Sequence, residues 1–98
     1  MPAYVIVDID VTDPERYEQY QAATPATITA ADGRFIVRGG AVTILEGDWQ
    51  PSRVVVLEFE DIAAAERWYE SAAYQAAKKL RGDGARMRMI AVPGLESG

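Results

Sequence analysis

The sequence has no cysteine, no histidine and no asparagine, and these absences exclude more chemistry than any motif supplies. Without cysteine or histidine, one chain cannot build disulfides, thiolate nucleophiles, a cysteine or histidine zinc site, histidine-ligated haem or a serine, histidine, aspartate arrangement. The lack of asparagine removes any N-glycosylation acceptor. No apolar run approaches the roughly 18 residues of a membrane span. The N-terminus, Met1-Pro2-Ala3-Tyr4, enters a strand pattern at once, without the basic and apolar regions of a signal peptide. The cytoplasm is therefore the expected compartment, with no membrane partner. A net charge of −5, with ten basic residues scattered along the chain, argues against a nucleic-acid partner, which needs a clustered basic surface. No glycine-rich phosphate loop is present.

What remains is ordinary in proportion. At 98 residues, 49% hydrophobic and 26% charged, the chain makes one globular domain, 1–98, with a modest core. Ala3 to Val11 alternates, so that Val5, Val7 and Ile9 face one way and Tyr4, Ile6, Asp8 and Asp10 the other. Thr12-Asp13-Pro14-Glu15 starts a helix whose stripe is Tyr17, Tyr20, Thr24 and Ile28; Pro25 should kink or restart it, and Gly33 should cap it in left-handed conformation. Phe35 to Val37 and Val42 to Leu45 are strand-like, interrupted by Gly39-Gly40, which marks a bend, a bulge or a close backbone approach. Arg53 to Phe59 is a second strong strand, expected to form a hairpin with Val42 to Glu46 through turn residues 48–52. Asp61 caps a second helix with the stripe Ile62, Ala65, Tyr69, Ala72 or Ala73, Ala76 and Leu80, which Ser71 divides; Met87 to Val92 is the last strand, followed by a polar tail.

This order predicts an α+β, ferredoxin-like fold: one antiparallel sheet with two helices on a single face. The other face then mixes apolar Tyr4, Ile6, Val54 and Val56 with ionisable Asp8, Asp10 and Glu58. It is too apolar for water and too charged for a dry core, and packing against a second copy around a polar cavity satisfies both constraints.

Over nearly its whole length, from PAYVIVDIDVTDPERYEQY through GRFIVRGGAVTILEGDWQPSRVVVLEF to RWYESAAYQAAKKLR, the chain resembles the bacterial domain-of-unknown-function family 1330 of the dimeric α/β-barrel superfamily. The resemblance implies ferredoxin-like protomers that pair through their sheets into a homodimeric barrel. That superfamily includes cofactor-free monooxygenases, isomerases, haem-degrading enzymes and ligand-binding regulatory domains, so the fold does not choose the reaction. The histidine that some relatives use for haem or acid-base work has no counterpart here, which argues against both activities.

Three sets of residues could carry chemistry. Arg38, beside Gly39 and Gly40 where backbone amides are approachable, could hold a carboxylate or enolate bidentately; the structural alternative pairs it with Glu46 or Glu58. Asp8 and Glu58 could converge on the open face, where crowding would raise one pKa into the range of a general acid or base; the alternative is a salt-bridged barrel interior. Asp10 lies near the strand end, and Asp8 and Asp10 alone are too few ligands for a cation. Trp49 sits on a turn, where an indole is seldom needed for folding, and could close a pocket; of Trp68 and Tyr69, only one can face the core. The resulting expectation is a small-molecule-binding domain, extending to a cofactor-free enzyme acting on a small acidic or carbonyl compound, with no metal. The alternative is a non-catalytic homodimerisation or interaction module, or a ligand-sensing domain.

Overall fold

The computed structural model describes residues 1–95; the end of the expected polar tail, 96–98, lies outside the described residues. In chain order the elements are β1 (Ala3–Val11), α1 (Pro14–Ala30), β2 (Arg34–Arg38), β3 (Arg53–Phe59), α2 (Ile62–Glu70), α3 (Ala72–Arg81) and β4 (Ala85–Pro93). The strands make one antiparallel sheet in the order β2-β3-β1-β4. This is the ferredoxin-like α+β arrangement, with the second helical segment in two pieces.

Period-two alternation in the two central strands decides which side the helices cover. Ala3, Val5, Val7 and Ile9 of β1 and Val55, Leu57 and Phe59 of β3 are buried, while the residues between them are half-buried. Helix α1 starts where Asp13 accepts from the backbone N–H groups of Glu15 and Arg16, with Pro14 at the first helical position. Its expected stripe, Tyr17, Tyr20, Thr24 and Ile28, is the buried one. Contrary to expectation, α1 runs unbroken through Pro25. A proline deletes a single ladder bond, here to Gln21, and the buried stripe on both sides holds the helix together.

The end of α1 also differs from the expectation. Asp32, with φ 58°, takes the left-handed position, and Gly33 donates its N–H to the Ile28 carbonyl at 2.9 Å. Glycine is required at 33 for space: a Cβ there would lie 2.5 Å from Cε1 of Phe59.

Ser71 divides the second helical segment as expected. Its backbone is extended (φ −62°, ψ 149°), its hydroxyl donates to the Trp68 carbonyl at 2.7 Å, and it accepts from the Tyr74 N–H at 3.1 Å. The break shifts the helical phase. Tyr74 and Ala77 are buried after it, whereas the expected Ala72, Ala73 and Ala76 are exposed and Leu80 is 45% exposed.

The core closes on Trp68, Tyr74, Phe59 and Ile28, the largest fully buried side chains. The Trp68 ring lies 4.4 Å from that of Tyr74 and 5.3 Å from that of Phe59, centroid to centroid. Its indole N–H donates to Thr27 Oγ1 at 3.0 Å, and the Tyr20 and Tyr74 hydroxyls are 2.9 Å apart, so each polar tip is satisfied where it is buried. Of the Trp68-Tyr69 pair, Trp68 faces the core and Tyr69 is half-buried at its edge.

The main correction concerns Val42 to Glu46. It forms no strand, because β3 already has β1 on one side and β2 on the other. No edge of β3, its expected partner, is left for it. Residues 39–52 instead make an irregular arm on which Val42, Ile44, Leu45 and Trp49 are all exposed, Leu45 by 93%.

Gly33→Ala should cost about 1–3 kcal/mol, the usual penalty for forcing extra volume into a packed core. Gly40→Ala should stay within about 0.5 kcal/mol, because a Cβ at 40 meets no atom within 4 Å. Urea unfolding of both variants measures the contrast, and equal losses would refute the crowding at Phe59.

Candidate functional site

A one-residue irregularity in β2 decides where Arg38 points. Phe35 faces Leu57 and Arg38 faces Val55, but between them the register slips at Ile36. Without this bulge Arg38 would share the open face with Arg34; with it, Arg38 joins Phe35 on the side of the helices. Its guanidinium lies 4.2 Å above the Phe35 ring. Neither ion pair considered from the sequence forms: the partner of Glu58 is Arg34 Nε, at 2.6 Å.

Gly39 and Gly40 have separate roles. Gly39, with φ 81°, turns the chain out of the sheet, and its missing Cβ leaves room for the Arg53 guanidinium; a Cβ at Gly40 would meet no atom within 4 Å. Arg53 opposes Ile9 in the β1–β3 ladder and so points to the helix side as well. Its guanidinium stands 5.6 Å from the centre of the Tyr17 ring, and its Nη2 donates to the Arg38 carbonyl at 3.4 Å. Its Nε is buried with no partner among the described residues.

These groups edge a cavity of about 60 Å³ between α1 and the sheet. Tyr17, Tyr20, Gln21, Thr24, Arg38 and Arg53 supply polar atoms, apolar side chains such as Ile9, Leu57 and Met87 its walls, and among the described residues no carboxylate lines it. Burial pushes the Tyr17 and Tyr20 hydroxyls above the ordinary phenol range, so both remain protonated near neutrality. Two guanidiniums beside neutral phenols can hold an anion and cannot remove a proton. Sequence reasoning selected Arg38 and missed Arg53, Tyr17 and Tyr20. The period-two pattern that puts Arg53 on the face of Val55 was available as a signal.

Asp8, Glu58 and Trp49 lie on the opposite side of the sheet. Asp8 accepts through one oxygen, Oδ2, from Trp49 Nε1 at 3.1 Å and from Arg88 Nη2 at 2.6 Å. Asp8 and Glu58 do not converge. Asp8 faces Val54 and Glu58 faces Tyr4, a separation of four residues along the ladder, about 13 Å at the usual strand rise. Their pKa values move opposite to the expectation: the Trp49 and Arg88 donors hold Asp8 below the usual carboxylate range, and Arg34 does the same for Glu58. Both are paired carboxylates at neutral pH. Among the described residues, no three acidic side chains lie close enough to chelate a cation, and no helix is long and apolar enough to cross a membrane.

A family model for a domain of unknown function (DUF1330) matches residues 2–95, and the chain belongs to that family. No curated protein matches it. Among solved structures, it is similar to a protein of unknown function from Rhodopseudomonas palustris, with 19% identity, TM-score 0.77, 97% of this chain and 83% of that one covered. A dimeric ferredoxin-like protein of unknown function from Jannaschia is 12% identical, with TM-score 0.72 and coverage of 96% and 100%. SnoaB, a cofactor-independent oxygenase from Streptomyces nogalater, is 15% identical, with TM-score 0.68 and coverage of 98% and 95%. At these identities the likeness is one of fold.

The Asp8 contacts should titrate visibly. A lowered pKa means that the ionised, paired form is complete above the ordinary carboxylate value and is lost only as pH falls through the lower one. The Trp49 indole N–H resonance should shift with a midpoint below 3.8, the ordinary value for Asp8, and Arg88→Ala should move that midpoint upward. A wild-type midpoint at or above 3.8 would contradict the pairing.

Proposed function

We propose that this chain is a homodimeric small-molecule-binding protein whose ligand, a compact compound with an apolar body and a carboxylate or enolate, enters the cavity between α1 and the sheet. The observation that carries this reading is Arg53: its Nε is buried without a partner, beside a cavity that no carboxylate lines. A guanidinium cannot neutralise itself by losing its proton, so an incoming anion is its natural complement. Arg38 and Arg53 grip the acidic group, the positive φ of Gly39 brings the backbone close, and Tyr17 and Tyr20 donate from above.

The reading extends to cofactor-free catalysis only for a substrate acidic enough to ionise in water. Two guanidiniums would stabilise an enolate, but the cavity wall contains no base. Asp8, Glu58 and Trp49 take a structural role: they neutralise the open face, which then packs against a second copy. Exposed Ile90 on that face and Val42, Ile44 and Leu45 on the arm supply the apolar area for the contact. The same arm favours the second reading, a dimerisation module with no ligand.

Native mass spectrometry of freshly purified protein separates the readings. A dimer retaining a discrete small mass is expected. Arg53→Ala and Arg38→Ala should keep the fold by circular dichroism and weaken retention about tenfold to a hundredfold, the usual worth of a charge-assisted hydrogen bond. A bare dimer would favour the module, and a bare monomer would overturn the pairing of sheets.

A further inference from the structure

A second cavity, of about 500 Å³, opens between the sheet's edge strand β4 and helices α2 and α3. Two cations reach into it from the last turn of α3: Lys78 and Arg81, three residues apart and therefore on one helical face. Lys78 Nζ donates to the Tyr69 hydroxyl at 2.9 Å, and Arg81 Nη1 reaches only the Met87 thioether sulfur, at 2.8 Å, a weak acceptor. The Arg81 guanidinium lies 5.2 Å from the Tyr20 ring centre, and its Nε is buried with no partner. Among the described residues, each cation thus meets neutral groups alone. Glu66 and Glu70 stand exposed at the rim, and neither lies within ion-pair distance of Lys78 or Arg81.

Cations at a helix C-terminus are favoured by the helix dipole, but that accounts for charge, not for direction. Lys79 in the same turn meets the dipole while facing solvent. Arg81 turns inward, where an uncompensated charge is unfavourable. Tyr69 and Tyr74, with ring centroids 5.2 Å apart, and Met89 supply flat and deformable apolar wall beside it.

We propose that this cavity is a second anion site, which binds a carboxylate carried on an aromatic or similarly flat body. The carboxylate lies across Arg81 and Lys78, the Tyr69 hydroxyl donates to it, and the ring lies against Tyr69 and the methionines. The two cavities share Trp68, Met87 and Met89 as wall, but their cations differ: Arg38 and Arg53 line the first, Lys78 and Arg81 this one.

Benzoate is the probe, titrated into isotope-labelled protein and followed by amide resonances, with neutral benzamide as the control. Saturable shifts are expected around Tyr69, Lys78 and Ala91, which line this cavity and not the first, with benzoate and not with benzamide. Arg81→Met should leave the thermal midpoint equal or raised, because it removes a half-buried charge with no anionic partner among the described residues, and should weaken benzoate at least about tenfold, as expected for loss of a charged contact. Arg53→Ala should leave this titration unchanged, whatever it does to a ligand retained in the first cavity. Lys78→Met provides the same comparison if Arg81→Met does not fold. The site is overturned if benzoate gives no saturable shift, if it moves only amides near Arg38 and Arg53, if benzamide binds equally, or if Arg81→Met lowers the midpoint while benzoate affinity is retained.

Discussion

Everything in this molecule depends on a sheet whose two central strands alternate strictly and whose helices cover one side. Alternation in β1 and β3 sends seven side chains, Ala3, Val5, Val7, Ile9, Val55, Leu57 and Phe59, into a single layer. That layer receives the apolar stripe of α1 and the wedge of Trp68. A slip of one residue would exchange the β1 share of this layer for Tyr4, Ile6 and Asp8, or the β3 share for Val54, Val56 and Glu58, so register and fold are the same constraint. The antiparallel order β2-β3-β1-β4 follows, because each central strand needs neighbours on both sides to satisfy its backbone.

The bulge at Ile36 is the one place where β2 departs from this rule, and it creates the candidate site. It places Arg34 and Arg38 on opposite faces although their spacing alone would put them together. Arg34 then neutralises Glu58 on the open side, while Arg38 reaches the mouth of the cavity on the helix side. Gly39 completes the geometry by turning the chain away and leaving the Arg53 guanidinium its space.

The parts of the fold that follow from one strong local period were legible in the residues: β1, β3, the α1 stripe, the division at Ser71 and the order of elements. What escaped depends on relations between elements. Val42 to Leu45 has the composition of a strand, but pairing is decided by available edges, and β3 has none free. The α3 stripe was misplaced because Ser71 resets the helical phase, and a stripe counted straight through it arrives one residue out. Asp8 and Glu58 share a face in any reading, but only the register of β1 against β3 shows that about 13 Å separates them. Of the candidate site, Arg38 and the glycines were visible, and Arg53 was not, because its importance lies in lacking a partner. That is a property of packing, invisible in composition.

Five of the eight arginines divide by side of the sheet, and the division matches the two roles proposed for its faces. On the uncovered face, Arg34 and Arg88 sit 2.6 Å from Glu58 and Asp8, so cross-strand pairing has consumed both charges. On the helix side, Arg38, Arg53 and Arg81 lie against the rings of Phe35, Tyr17 and Tyr20. An aromatic face attracts a cation but accepts few of its five N–H donors. A face that has to pack against another protein surface gains from internal neutrality, because an unpaired charge buried there would oppose association. A cavity that has to hold an anion gains from the reverse, cations kept in place by rings that never compete with the ligand for charge. On the reading proposed above, the same residue type therefore serves the contact between copies on one side of the sheet and the ligand on the other.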